Sequence, residues 1–149
     1  CIRASGAYVA SDSRDRIYQF DIDSVMLEEQ IKPEQKFTNE IFRIKWVCDK
    51  GSETGCAKQV QNPYNIAMGT CSFPTRPNSR TYPVESPDGL ASLSGGYPVM
   101  KYGDSGITAA VAHKSDKGFR SVIMGFPLEV LDSQQQINRV MACVLEFFR

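Results

Sequence analysis

The residues able to do chemistry are few and scattered. Gly103-Asp104-Ser105-Gly106 sets a serine and an acid between glycines, the composition of a loop that presents a hydroxyl nucleophile. A serine hydroxyl is a poor nucleophile until a base removes its proton, and base and orienting acid must converge on it. The sole histidine, His113, lies further along the same expected hairpin. Serine and imidazole would then ride one strand with no separate element to aim the ring, so the run reads as a polar loop entering a strand. His113 is expected near the surface beside the hairpin turn, without the carboxylate or thiolate partners a metal site would need.

The remaining candidates are weaker. Asp12, Asp15, Asp21 and Asp23 form an acidic cluster that lacks the loop glycine and terminal glutamate of a calcium loop, which favours a solvated segment. Five cysteines, Cys1, Cys48, Cys56, Cys71 and Cys143, show no zinc-ligand spacing. Cys48 and Cys56 flank a glycine-containing turn that either a disulfide or two thiols would suit, and Cys143 reads as a buried inert thiol on a helix. Tyr64, Phe73, Tyr82, Tyr97 and Tyr102 fall in a loop-rich stretch, where aromatic rings either form small clusters under loops or stack on sugar rings. No metal and no cofactor is expected.

The elements that must position these groups are legible in part. Ile2 to Ala10 reads as a strand entering a small-residue bend at Ser5-Gly6, and Ser24 to Ile31 as a short helix that Pro33 ends. Phe37, Ile41 and Ile44 at helical spacing, with Phe42 and Trp46 beside them, predict a second helix capped by Thr38 or Asn39. Between Gly51 and Gly106 lie six of the eight prolines and eight of the eleven glycines, so only short strands are expected there, for example over Ala57 to Val60 and Pro98 to Tyr102.

The end of the chain reads most clearly. Ile107 to Ala112 and Phe119 to Phe126 predict a hairpin across a turn ending at Gly118. Ile137, Val140, Met141, Val144, Leu145 and Phe148 then fall on one face of a helix, with Ser133 and Gln136 placed as a capping box.

Composition narrows the classes. A chain of 149 residues with 42% hydrophobic content suits one domain spanning residues 1–149. Lys plus Arg equals Asp plus Glu at 17 each, which argues against a nucleic-acid partner. No apolar run approaches the length of a membrane helix, so no membrane insertion is expected.

Four segments taken in order carry a family resemblance: Arg3-Ala4-Ser5-Gly6-Ala7-Tyr8-Val9-Ala10-Ser11-Asp12, Tyr82-Pro83-Val84-Glu85-Ser86-Pro87-Asp88-Gly89-Leu90, Gly106-Ile107-Thr108-Ala109-Ala110-Val111-Ala112 and Val122-Ile123-Met124-Gly125-Phe126-Pro127-Leu128-Glu129. The chain resembles the C-terminal domain of Bacteroidetes proteins named xanthan lyase-like, many of which also carry a golvesin-type module. That domain looks like a divergent relative of the class I glutamine amidotransferases. The resemblance implies a flavodoxin-like or class I glutamine amidotransferase-like three-layer α/β fold ending in the β-hairpin and C-terminal helix; because the matching segments begin at the elbow strand, the fold is expected to be either partial or completed by another route.

Carried over residue by residue, the resemblance puts Ser5 at the nucleophile elbow and Glu129 in the late acid position, while Phe126-Pro127 stands where the histidine belongs. It therefore implies a non-catalytic accessory or binding domain, with Ser5, Gly6, Tyr8 and Glu129 lining a ligand pocket. The rival is a hydrolase or lyase using Ser5 and Glu129 with His113 as the third group. The resemblance further implies a periplasmic, cell-surface or secreted multidomain protein, with the other domains of the same polypeptide as partners and a polysaccharide as ligand.

Overall fold

The computed structural model describes Ile2–Arg3 and residues 37–149. Strand β1 (Ile2–Arg3) comes first. A π-helical turn over Thr38–Phe42 leads into β2 (Ile44–Cys48), and then follow β3 (Cys56–Gln59), β4 (Thr70–Ser72), β5 (Gly89–Ser92) and β6 (Gly96–Tyr102). The chain closes with β7 (Thr108–Lys114), β8 (Arg120–Met124), a 3₁₀ turn over Leu128–Val130 and helix α1 (Gln134–Phe148).

All eight described strands join one sheet, in the order β1-β8-β7-β6-β3-β4, with β5 also bonded to β7 and β2 to β5. Only β1 runs parallel to its neighbour, with Ile2 opposite Val122 and Arg3 opposite Ile123; every other described pairing is antiparallel. The expected three-layer α/β fold of the flavodoxin or glutamine amidotransferase kind is therefore overturned. A parallel sheet needs a crossover, usually a helix, between successive strands. The Pro- and Gly-rich stretch from 51 to 106 supplies turns instead, so strands that follow one another run antiparallel.

The closing hairpin is present, with Ala110 opposite Met124, Ala112 opposite Val122 and His113 opposite Ser121. Strand β7 is buried on both faces, which its alanines permit. Alternation sends Ala110 and Ala112 into a large core with Met68, Phe73, Tyr102, Phe126 and α1, and Val111 into a second cluster with Phe42, Ile44, Leu90 and Ile123. Burying Val140 and Val144 of α1 against the first core stabilises the fold by about 1.5–3 kcal/mol each.

Helix α1 starts as its sequence suggests, with extended Ser133 accepting the Gln136 N–H on its hydroxyl at 3.3 Å. The reciprocal half of the capping box does not form. Gln136 Oε1 accepts the Ser72 N–H at 3.0 Å instead, tying the helix to the edge strand β4. From the same helix Arg139 donates to the carbonyls of Met68 and Thr70, both at 2.7 Å, which covers polar groups that an open edge would leave exposed.

The helix expected from Phe37 to Trp46 is a second correction. It ends after one turn at Arg43, whose φ of 57° is left-handed, and the chain continues as β2. In that strand Ile44 is buried, Lys45 exposed, Trp46 partly buried and Val47 exposed, an alternation that β-branched and aromatic residues fit as well as a helix does. The partner strand β5 pairs Leu90 with Trp46 and Ser92 with Ile44, and this pairing decides between the two readings.

Candidate functional site

The Gly103–Gly106 run is a structural clasp. Asp104 Oδ2 accepts the Ser52 hydroxyl at 3.1 Å and the N–H groups of Glu53 and Thr54 at 2.8 and 3.0 Å. Partial desolvation opposes its charge, but these hydrogen bonds outweigh it and hold the carboxyl down at about 2. Ser105 donates its hydroxyl to the Gly51 carbonyl at 2.5 Å. The serine is thus engaged at the turn before β7, and His113 sits near the far end of that strand, about 17 Å along it from Thr108.

His113 is buried, 6% exposed, and not at the surface as its place near the turn suggests. Its Nδ1 lies 2.7 Å from the Gly95 carbonyl and its ring meets Phe119 edge to face at 5.8 Å. The β6 and β8 strands on either side of β7 enclose it. Glu129 lies in the 3₁₀ turn beyond the opposite end of β8, where its Oε1 accepts the Tyr82 hydroxyl at 2.7 Å. Partial burial and the adjacent carboxylate push the Tyr82 phenol up to about 12. The structure therefore brings Glu129 to Tyr82 and not to His113. Ser5, Gly6 and Tyr8, like the acidic cluster from Asp12 to Asp23 and the helix expected over Ser24 to Ile31, lie outside the described residues.

Cys48, Cys56, Cys71 and Cys143 are free thiols, so no disulfide joins Cys48 to Cys56. Burial pushes the Cys71 thiol up to about 11. Cys143 is half-buried, not enclosed, and donates to the Ala67 carbonyl at 3.4 Å. Among the described residues no group of three or more His, Cys, Asp or Glu side chains could hold a metal ion, and no described helix is long and apolar enough to cross a membrane.

Three segments, around Asp88, Ala109 and Gly125, meet at one packing node. Asp88 N–H donates to the Gly125 carbonyl at 2.7 Å and Gly125 N–H to the Ala109 carbonyl at 2.8 Å. The buried Tyr102 hydroxyl closes the node on the Asp88 carbonyl at 2.9 Å, and the Trp46 indole donates to Asp88 Oδ1 at 3.3 Å. Phe126, fully buried, stacks on Phe73 with centroids 4.9 Å apart. These segments are thus held by packing and backbone contacts.

The aromatic residues sort by position. Phe73 and Tyr102 are core, Tyr82 belongs to Glu129, and Tyr64 lines a cleft of about 520 Å³ between the β3–β4 loop, the β7–β8 hairpin and the end of α1. Asn62 shapes the loop, its amide bonding the carbonyls of Val60 and Ile66 and its Oδ1 accepting from Tyr64 and Ile66. Tyr64 packs on Tyr97 edge to face at 5.4 Å and on Phe147 at 5.0 Å, while its hydroxyl accepts the Lys114 N–H at 3.2 Å. Arg120 donates from Nη1 to the Phe147 carbonyl and lies over the Phe147 ring at 5.6 Å, so it caps the end of α1 while lining the cleft with Lys114, Cys143 and Glu146.

No family model, no curated protein and no solved structure matches the chain.

Tyr64 was among the aromatic residues the sequence marked. Arg120, Lys114, Glu146 and Phe147 were not, because nothing local signals that the β7–β8 hairpin and the end of α1 border one cleft. Only the position of Arg120 just past the Gly118 turn, at the start of a strand, hinted at a cation near a hairpin end.

Proposed function

We propose that this domain is a non-catalytic binding module that holds a saccharide in the cleft beside Tyr64. The observation that carries the reading is the cleft itself. Its volume of about 520 Å³ falls within the roughly 300–1,000 Å³ of small-molecule sites. It combines aromatic walls with a few polar groups, the lining that sugars require because they present apolar C–H faces and a rim of hydroxyls. The resemblance to the C-terminal domain of xanthan lyase-like proteins supports the same class of ligand, and with it an accessory role in a secreted, periplasmic or cell-surface polypeptide whose other domains are the partners.

A glycan-array screen of wild type beside Ala67→Trp tests the reading. Ala67 is exposed and lines the cleft, so the indole would fill it without removing a core contact. Wild-type binding that Ala67→Trp abolishes, with an unchanged thermal midpoint, is expected. Binding unaffected by the plug, or no binding by wild type, overturns it. A hydrolase or lyase built on Ser5, Glu129 and His113 is the rival from the sequence, and the separation of His113 from Glu129 along β8 weighs against it.

A further inference from the structure

On the face of the sheet opposite α1, we infer a second site, one that takes a protonated phosphate between Arg43, His113 and Ser121. Register brings these residues together. Ser121 lies opposite His113 and His113 opposite Gly96, so the three stand in one row across β8, β7 and β6. Directly opposed residues share a face and hold their Cβ atoms about 4.5–5.5 Å apart. That face is the one of Val111 and Ile123, each two residues along its own strand and packed with Phe42 and Ile44. Arg43 reaches the row from the turn before β2. A Cβ on Gly96 would lie 2.9 Å from the Arg43 Cβ and 2.7 Å from its carbonyl oxygen, so the glycine is what lets Arg43 sit there.

Each of the three residues keeps hydrogen-bonding capacity that the fold does not use. Ser121 is 2% exposed, and both its Oγ and Arg43 Nε are buried with no hydrogen-bond partner. Burial without a partner costs a hydroxyl its hydration, and costs a guanidinium more. A water molecule would satisfy the hydroxyl but leave the Arg43 charge uncompensated, whereas an anion answers both. His113 completes the set. Its Nδ1 lies 2.7 Å from the Gly95 carbonyl, which can only accept, so Nδ1 carries the proton and the neutral ring keeps Nε2 as an acceptor. Among the described residues Nε2 has no hydrogen-bond partner. Gly95 is exposed, so the row ends at the surface beside the β5–β6 turn and a small ligand can enter there.

These groups discriminate between anions. Arg43 supplies the charge and a planar set of N–H donors that suits phosphate oxygens. Ser121 supplies a hydroxyl donor. The Nε2 acceptor then asks the ligand for a proton of its own, which hydrogen phosphate has and sulfate lacks. The cations of the cleft, Lys114 and Arg120, take no part, because they line the face toward α1 and Lys114 is adjacent in β7 to His113.

Calorimetric titration of the full chain with inorganic phosphate, sulfate and methyl phosphate at one ionic strength tests the site. Phosphate is expected to bind ten times or more tighter than sulfate. Ser121→Ala and Arg43→Gln should each weaken phosphate tenfold or more, and Lys114→Gln should leave it unchanged. Ser121→Ala deletes a hydroxyl that has no partner in the ligand-free protein, so its own melting midpoint should hold or rise. That variant keeps the test valid if Arg43→Gln folds poorly. Methyl phosphate binding as tightly as phosphate would support the site with an esterified phosphate as its ligand, and its rejection would support it with the free anion. No binding of phosphate by wild type, or undiminished binding by Ser121→Ala, overturns the inference. Equal binding of sulfate overturns the assignment to phosphate in favour of a general oxyanion site, and loss of binding in Lys114→Gln overturns it in favour of the cleft.

Discussion

Asp104 Oδ2 and the Ser52 hydroxyl meet at 3.1 Å across 52 residues of chain, joining the β6–β7 turn to the β2–β3 loop. The same oxygen also takes the N–H groups of Glu53 and Thr54, so one carboxylate organises a loop that has no regular structure of its own.

The folded carboxyl titrates at about 2 against an ordinary 3.8, so the ionised form is favoured by folding. Its contribution is present above pH about 4 and is lost as pH falls from there through about 2. Asp104→Asn should destabilise the fold by about 1 kcal/mol at neutral pH, since the site is solvent-exposed and its bonds are partly replaced by water. Denaturant melts of both proteins from pH 7 to pH 2 check this. A difference that stays constant over that range would show that the carboxylate does not anchor the loop.

Gly125 is required for contact, not for conformation. A Cβ there would lie 2.1 Å from the Asp88 carbonyl oxygen and 2.9 Å from the Tyr102 hydroxyl. Gly125→Ala must push the β5 approach away from β8 and open the node of Asp88, Gly125 and Tyr102, and a loss of about 3 kcal/mol or more is expected. Gly106→Ala is the control, because nothing lies within 4 Å of its Cβ position. Its φ of 72° strains alanine and costs about 1 kcal/mol. Equal melting midpoints for the two variants would refute the role assigned to Gly125.

Phe126 is fully buried against Phe73 and Tyr102. A histidine placed there by Phe126→His should therefore not act as an accessible base. Removing the stacked ring and burying an imidazole should cost about 3–5 kcal/mol, on the scale of large-to-small core changes. A stably folded Phe126→His variant with a titrating, solvent-accessible imidazole in its NMR spectrum would contradict the packing described.

The Tyr82 phenol, held up at about 12 from 10.0, is coupled to Glu129. Glu129→Gln removes the carboxylate that opposes phenolate formation, so Tyr82 should titrate closer to 10. The difference in phenolate absorbance between each protein and its Tyr82→Phe derivative isolates this group from the other five tyrosines. An unchanged midpoint in Glu129→Gln would mean that burial alone raises the phenol.

The Cys71 thiol, fully buried and pushed up to about 11, should be the slowest of the four described cysteines to alkylate. Mass spectrometry after timed labelling at pH 8 should find Cys143 and Cys48 modified before Cys71, and all four modified together in denaturant. Early labelling of Cys71 would show that β4 opens readily.

Where local pattern and tertiary packing agree, the residues alone were enough. The turn ending at Gly118, the two apolar runs beside it and the Ser133 cap each act over a few residues, and they specified the β7–β8 hairpin and the start of α1. The same locality misled between Phe37 and Trp46. That stretch fits a period of 3.6 as well as a period of two, and the choice was made by β5, a Gly-Leu-Ala-Ser segment with little strand preference that lies more than forty residues downstream. Strand direction was likewise invisible. A strand's sequence does not record whether its neighbour is parallel, so the antiparallel sheet that replaces the expected α/β layers emerged only from the register of distant pairs.

The sequence by itself determined which residues are chemically able: one histidine, the acids and cysteines, the aromatics of the middle region and a balanced charge. Only the tertiary structure decided that His113 is enclosed between strands, that Asp104 and Ser105 hold a loop, and that Tyr64, Arg120, Lys114 and Phe147 share a cleft. Reactivity and recognition depend on burial and on distance between groups. Both are set by contacts between residues such as Arg120 and Phe147, which are 27 positions apart and carry no mark of each other in the chain.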